Sequence, residues 1–100
     1  MNLFKKGDII VAKWHYSMEF PIFYRVEKAT KYSVEIIELE KKVVENIDGY
    51  GQVTMEVPTS TTTGTPFRKR VNGYEVRGLC SGHTTGIPWD GQPVYADYCD

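Results

Sequence analysis

One hundred residues with a 41% hydrophobic content make one compact domain with a single core, too short a chain for a second. Twelve Lys and Arg against 13 Asp and Glu leave a formal charge of -1. That removes the basic surplus behind most non-specific nucleic-acid binding, and equally argues against a polyanionic mimic of DNA. The longest apolar run, Ile9-Ile10-Val11-Ala12, is far short of the roughly 20 residues that cross a bilayer, so no membrane association is expected.

Lys5-Lys6-Gly7-Asp8 reads as a polar turn that delivers a first strand, Ile9 to Tyr16, with Ile10, Ala12, Trp14 and Tyr16 on one face by period two. After a loop carrying Ser17, Glu19 and Pro21, a second strand from Ile22 to Thr30 sets Ile22, Tyr24 and Val26 opposite Phe23, Arg25 and Glu27. Lys31-Tyr32 is a poor tight turn by composition. Ser33 to Glu40 then resumes with Val34 and Ile36 on one face but Ile37 and Leu39 on the other, which predicts a bulge or sharp bend near Ile36 and Ile37. From Glu38 to Glu45 a helical turn competes, because Glu38 and Lys42 form an i,i+4 pair. The β-branched Val43 and Val44 favour a long bent strand instead.

Asp48-Gly49-Tyr50-Gly51 is a turn, and Gln52 to Val57 alternates again, with Val53, Met55 and Val57 predicted inward and Pro58 ending the strand. Thr59 to Pro66 holds no apolar residue and reads as an exposed, mobile loop. Phe67 to Val71 and Tyr74 to Arg77 flank Asn72-Gly73, a dipeptide that tolerates the positive φ angles of a two-residue hairpin. Ser81 to Gly91, with three glycines and Pro88, reads as irregular and leads to a last short strand around Val94 to Tyr98. About six short strands without a helix to cover an open sheet predict an all-β fold. A small SH3-like barrel, closed or half-open, comes first and a two-layer β-sandwich second.

Catalytic chemistry finds little support. Cys80 and Cys99 lack metal-ligand spacing and are too few for a zinc site; they could pair in an oxidising compartment, but Met1-Asn2-Leu3-Phe4 reads as a start without a signal peptide, so reduced thiols in the cytoplasm are expected. Cys80-Ser81-Gly82-His83 brings a thiol near an imidazole but matches no nucleophile motif, and the other histidine, His15, is far away in sequence. Glu35, Glu38, Glu40 and Glu45 stand beside lysines and read as a solvated edge that discourages strand pairing with other chains. Asp90 is placed for an Asx-turn. Gly49-Tyr50-Gly51 lacks the third glycine, the helix and the lysine of a phosphate loop. No enzyme activity, cofactor or metal is expected.

Binding surfaces are better supported. Arg68, Lys69, Arg70 and Arg77 gather on the Asn72-Gly73 hairpin, where alternation puts Arg68 and Arg70 on one face and Lys69 on the other. Such a basic ribbon can grip phosphates or an acidic protein surface, although ordinary solubilisation of a hairpin also explains it. Trp14, Tyr16, Phe23 and Tyr24 crowd the first two strands and Trp89 the end of the chain. Thirteen aromatic residues exceed what one small core hides, so some are expected at the surface as anchors for a partner.

Gly7-Asp8-Ile9, Trp14-x-Tyr16, Phe23-Tyr24-x-Val26, Thr30, Ser33-Val34 and Trp89-Asp90-Gly91-x-Pro93 together resemble a family of small uncharacterised proteins encoded by phages and mobile elements. The similarity covers the first 40 residues and the last 15. In that family the tryptophan is usually followed by Gly-Tyr, where this chain has His15-Tyr16. The resemblance implies origin rather than mechanism. It favours an accessory protein that binds a host protein in the cytoplasm of the host cell, such as a nucleoprotein defence complex whose nuclease it inhibits. A β-barrel module that binds nucleic acid through the same arginines and aromatics is the alternative.

Overall fold

The computed structural model describes residues 2–15, 17–82 and 84–98, with the backbone alone for Ser81. Expectations for Tyr16, His83 and Cys99 therefore lie outside the described residues. In chain order the elements are β1 (Ile9–Trp14), β2 (Phe20–Ala29), β3 (Ser33–Asn46), β4 (Val53–Asn72), β5 (Glu75–Gly78), a single helical turn α1 (Leu79–Gly82), β6 (Thr84–Pro88) and β7 (Val94–Asp97). The strands follow the order β3-β2-β1-β6-β5-β4-β7, and β3 also pairs with β4. Six antiparallel strands thus close a ring, a small barrel rather than a two-layer sandwich, and β7 lies outside the ring on the far half of β4. Closure removes the free edges that an open sheet of this size would expose.

The barrel interior follows from strand alternation. Ile10 and Ala12 from β1, Tyr24 and Val26 from β2, and Val34 and Ile36 from β3 meet Val71 of β4 and Val76 of β5 in one buried cluster. Leu79 of α1 and Phe4 join that cluster from outside the strands. Tyr24 stands edge-on to Phe67 at 5.8 Å. Burial, with Cys80 and Glu38 nearby, pushes the Tyr24 hydroxyl well above the ordinary phenol range.

The ring strand β6 gives this interior no side chain at Gly86, opposite Val76. A Cβ there would stand 2.6 Å from both Ile10 Cγ2 and Leu79 Cδ1, so these two side chains fill the space that any other residue would need. The N-terminal segment closes one barrel end: Asn2 Nδ2 donates to the carbonyls of Thr30 and Ser33, and Leu3 N to that of Gly73.

A second cluster sits on the outer face of the sheet. Val11, Phe23 and Leu39 point away from the barrel interior and are covered by Ile9, Trp89 and Val94. Both faces of β1 and β2 are therefore buried in part, and the period-two reading of these strands captured only the inner one.

The largest departures concern β3 and β4. The bent strand predicted from Ser33 onward continues to Asn46, and its register against β4 shifts at Ile37, where the change of face predicts a bulge. Pro58 does not end β4 but stands opposite Lys41 within it. The threonine-rich stretch expected as a mobile loop is strand as well, with Thr62 and Thr63 opposite Leu39 and Glu38. Its side chains are exposed as expected, but β3 satisfies its backbone, with the extra residues absorbed as bulges. Ser81 to Gly91, expected to be irregular, contains β6. The two-residue hairpin loop is Gly73-Tyr74, one residue later than Asn72-Gly73: Asn72 pairs with Glu75, and Gly73 alone takes a positive φ of 63°.

Beyond the ring, β3 and β4 continue as an arm, and here the expected inward residues are inverted. Thr54 and Glu56 are buried, whereas Val53, Met55 and Val57 are half-exposed. The reason is a polar network. Lys41 Nζ lies 3.0 Å from Glu56 Oε1 and donates to the Pro21 carbonyl at 2.8 Å and to the Tyr98 hydroxyl at 2.9 Å. Thr54 Oγ1 donates to Glu56 at 2.9 Å, and the Tyr98 hydroxyl donates to it at 2.7 Å. Phe20 stacks on Tyr98 at 5.5 Å, with the Lys41 ammonium 4.7 Å from the Phe20 ring centroid. A carboxylate this buried is tolerated because Lys41, Thr54 and Tyr98 all direct donors at it.

Lys41→Met strands the Glu56 carboxylate and is expected to cost about 3 kcal/mol in urea denaturation, the low end for breaking a buried pair, because Lys41 keeps 29% of its side-chain exposure. The double variant Lys41→Met/Glu56→Leu is expected to recover much of that loss. Gly86→Ala is expected to cost about 1–3 kcal/mol by overpacking. Burial, followed by the Glu56 carboxylate, pushes the Tyr98 hydroxyl above the ordinary phenol range, as burial does for Tyr24. A raised phenol pKa means that the folded state holds its proton longer than the unfolded state, so stability falls as pH rises above about 10. In an ultraviolet titration near pH 11, Tyr24 and Tyr98 should resist ionisation until the chain unfolds. Tyr24→Phe and Tyr98→Phe should each remove one chromophore from that late class.

Candidate binding surface

The ring is not equally thick all round. Where β3 faces β4 the pairing is long, but β1 meets β6 only at Ile10–Pro88 and Val11–Ile87, and β5 meets β6 only at Val76–Gly86 and Arg77–Thr85. On the outer side of this thin seam lies a groove of about 680 Å³. Its lining comes from the outward residues Val11, Lys13 and His15 at the β1 end, Thr85 and Ile87 of β6, Trp89 and Asp90 of the segment that follows, and Val94 of β7. Ile87 is 50% exposed.

The segment after β6 is held rigidly. Trp89 N donates to the Ile9 carbonyl, Trp89 Nε1 donates to the Gln92 carbonyl at 2.7 Å, and Gln92 N donates to Asp90 Oδ1 at 2.9 Å, the Asx-turn expected at Asp90. The Trp89 ring stands edge-on to Phe23 at 5.8 Å, so one wall of the groove is fixed on the outer cluster.

The arginines adjoin this groove. Arg77 is opposite Thr85, and directly opposite residues of antiparallel strands share a face, so Arg77 stands beside the groove lining. The β4–β5 register, continued one step from Val71–Val76, sets Arg70 opposite Arg77, and Arg68 lies two residues further along the same face of β4. All three are exposed. Lys69 points the other way, as expected, and donates to the Gly78 carbonyl at 3.0 Å, which makes it part of the hairpin's own structure.

The expected aromatic anchor does not form as one cluster. Phe23 is fully buried beneath Trp89, and Tyr24 is 5% exposed inside the barrel, so neither can touch a partner directly. Trp14 lies at the arm end of the barrel, stacked on Phe20 at 6.4 Å. Of the four candidates among the described residues, Trp89 alone is brought to the groove. Sequence reasoning missed Val11, Lys13, Thr85 and Ile87. Their signal was present as the alternation of Thr85, Ile87 and Trp89, but the glycines and proline around it made the segment look like loop.

Among the described residues, no group of three or more His, Cys, Asp or Glu side chains is placed to hold a metal ion, and no helix is long and apolar enough to cross a membrane. Comparison with known family models, curated proteins and solved structures finds no match for this chain.

Proposed function

We propose that this chain is a non-enzymatic binding protein of phage or mobile-element origin that inhibits a bacterial defence nuclease by protein–protein contact at the groove and its arginine border. The observation that carries this reading is the continuity of two unlike surfaces on one side of the barrel. Half-exposed Ile87 and fixed Trp89 offer an apolar site, and Arg77, Arg70 and Arg68 extend it as a charged margin. An apolar centre bordered by charge is the arrangement of protein interfaces, with Trp and Arg among the residue types that dominate their energy.

The nucleic-acid alternative draws support from the arginines but less from the rest. Base stacking needs a platform of exposed rings, and Phe23 and Tyr24 are buried. Glu35 stands opposite Arg68, and Asp90 lines the groove, which places negative charge on the track a phosphate chain would follow.

Tagged wild-type protein, Ile87→Asp and an Arg68/Arg70/Arg77 triple alanine variant, each confirmed folded by circular dichroism, test the reading on host lysate. The wild type is expected to retain a defence nuclease and to lower its cleavage rate, and both variants are expected to lose it. Recovery of the same partner by both variants would sink the proposal. Tight binding of DNA or RNA at about 50 mM salt, fading steeply with added salt, would favour the alternative.

A further inference from the structure

We infer that Arg68, Arg70 and Arg77 receive carboxylates from an extended acidic segment of the partner protein, laid across β4 and β5 and ending in the groove. This rests on the binding role proposed above and specifies the partner's chemistry.

The arginines of this chain fall into two kinds. Arg25 forks onto Glu27, with Nε and a terminal guanidinium nitrogen each 3.1 Å from a carboxylate oxygen. Arg68, Arg70 and Arg77 are exposed and have no carboxylate within ion-pair distance among the described residues. The β4–β5 register, continued one step past Val71–Val76, sets two of these three, Arg70 and Arg77, opposite each other on the same face. Like charges so placed, with Cβ atoms about 5 Å apart, destabilise a sheet. Glu75 stands two residues from Arg77 on the same face of β5, the spacing at which Arg25 pairs with Glu27, yet the two form no ion pair. An incoming carboxylate removes this repulsion and gains paired, charge-assisted hydrogen bonds from the planar guanidinium groups.

Spacing selects the form of the ligand. Arg68 and Arg70 are two residues apart on one strand, roughly 7 Å. An extended peptide with acidic residues at alternate positions presents carboxylates at that same repeat. Its intervening residues need carry no charge, so it can pass Glu35, opposite Arg68, and Glu75, beyond Arg77, without facing either with an anion. A continuous polyanion lacks that freedom. Past Arg77 the same face leads to Thr85 and Ile87, where an apolar side chain of the segment finds the groove.

The test uses three fluorescent probes of similar length on the full chain: a soluble peptide alternating glutamate and valine, the same peptide with glutamine for glutamate, and an oligothymidylate. Anisotropy at about 50 mM salt is expected to show the glutamate peptide bound at least about tenfold tighter than the glutamine peptide. Arg70→Ala/Arg77→Ala is expected to weaken it at least about tenfold, and Lys42→Ala, on the arm, to leave it unchanged. Equal affinity for the two peptides, an unchanged Arg70→Ala/Arg77→Ala variant, or tighter binding of the oligothymidylate would each overturn the inference. A nuclease retained from lysate by the triple alanine variant but lost by Ile87→Asp would also overturn it, and would leave the proposed binding function standing.

Discussion

The constraint on which this small barrel turns is the space at Gly86. The interior of a six-stranded ring must be filled from every side, yet at this position β6 contributes a hydrogen atom, and Ile10 and Leu79 occupy the volume instead. Closure of the thin seam between β5, β6 and β1 depends on that fit. The same alternation that aims Gly86 inward aims Thr85 and Ile87 outward. One residue without a side chain therefore joins the packing of the core to the making of the groove.

The arm follows a different logic. Where β3 and β4 leave the ring there is no closed interior to bury aliphatic side chains, and the contact between the arm and the barrel is built on Lys41, Glu56, Thr54 and Tyr98. Such a network contributes less net stability than an apolar core of the same size, because desolvation of the charges offsets most of their attraction. What it supplies is direction. Hydrogen bonds of defined geometry from three elements converge on one carboxylate and tie Tyr98, just past β7, to β3, β4 and the Pro21 carbonyl.

A division of labour emerges between the two faces of the barrel wall. The inner face holds the chain together and leaves nothing for a partner. The outer face carries the smaller Val11, Phe23 and Leu39 cluster, whose cover, Trp89, is at once structural and available. An aromatic ring anchored on one side by Phe23 and held through its indole nitrogen loses little conformational freedom on binding. The arginines next to it are solvated and form no ion pair among the described residues, which suits them to recognition rather than to folding.

Alternation of β-branched and aromatic residues, read from the chain alone, determined the all-β class, the inner faces of β1 and β2, the bulge near Ile37 and the turn at Asp48 to Gly51. These are local consequences of side-chain chemistry on a pleated strand. It also determined that Arg68 and Arg70 oppose Lys69. The choice of a barrel over a sandwich came from the pairing of β3 with β4. Tertiary structure alone decided whether Pro58 and the threonine run would be strand, because they pair with residues of β3 far away in sequence that no local pattern announces. It decided which face of β4 is inside, because Glu56 is buried only where Lys41 and Tyr98 wait for it. And it decided which aromatic residue meets solvent: Phe23 and Trp89 are equally apolar in sequence, and stacking order on the outer sheet face, a property of packing, leaves one beneath the other.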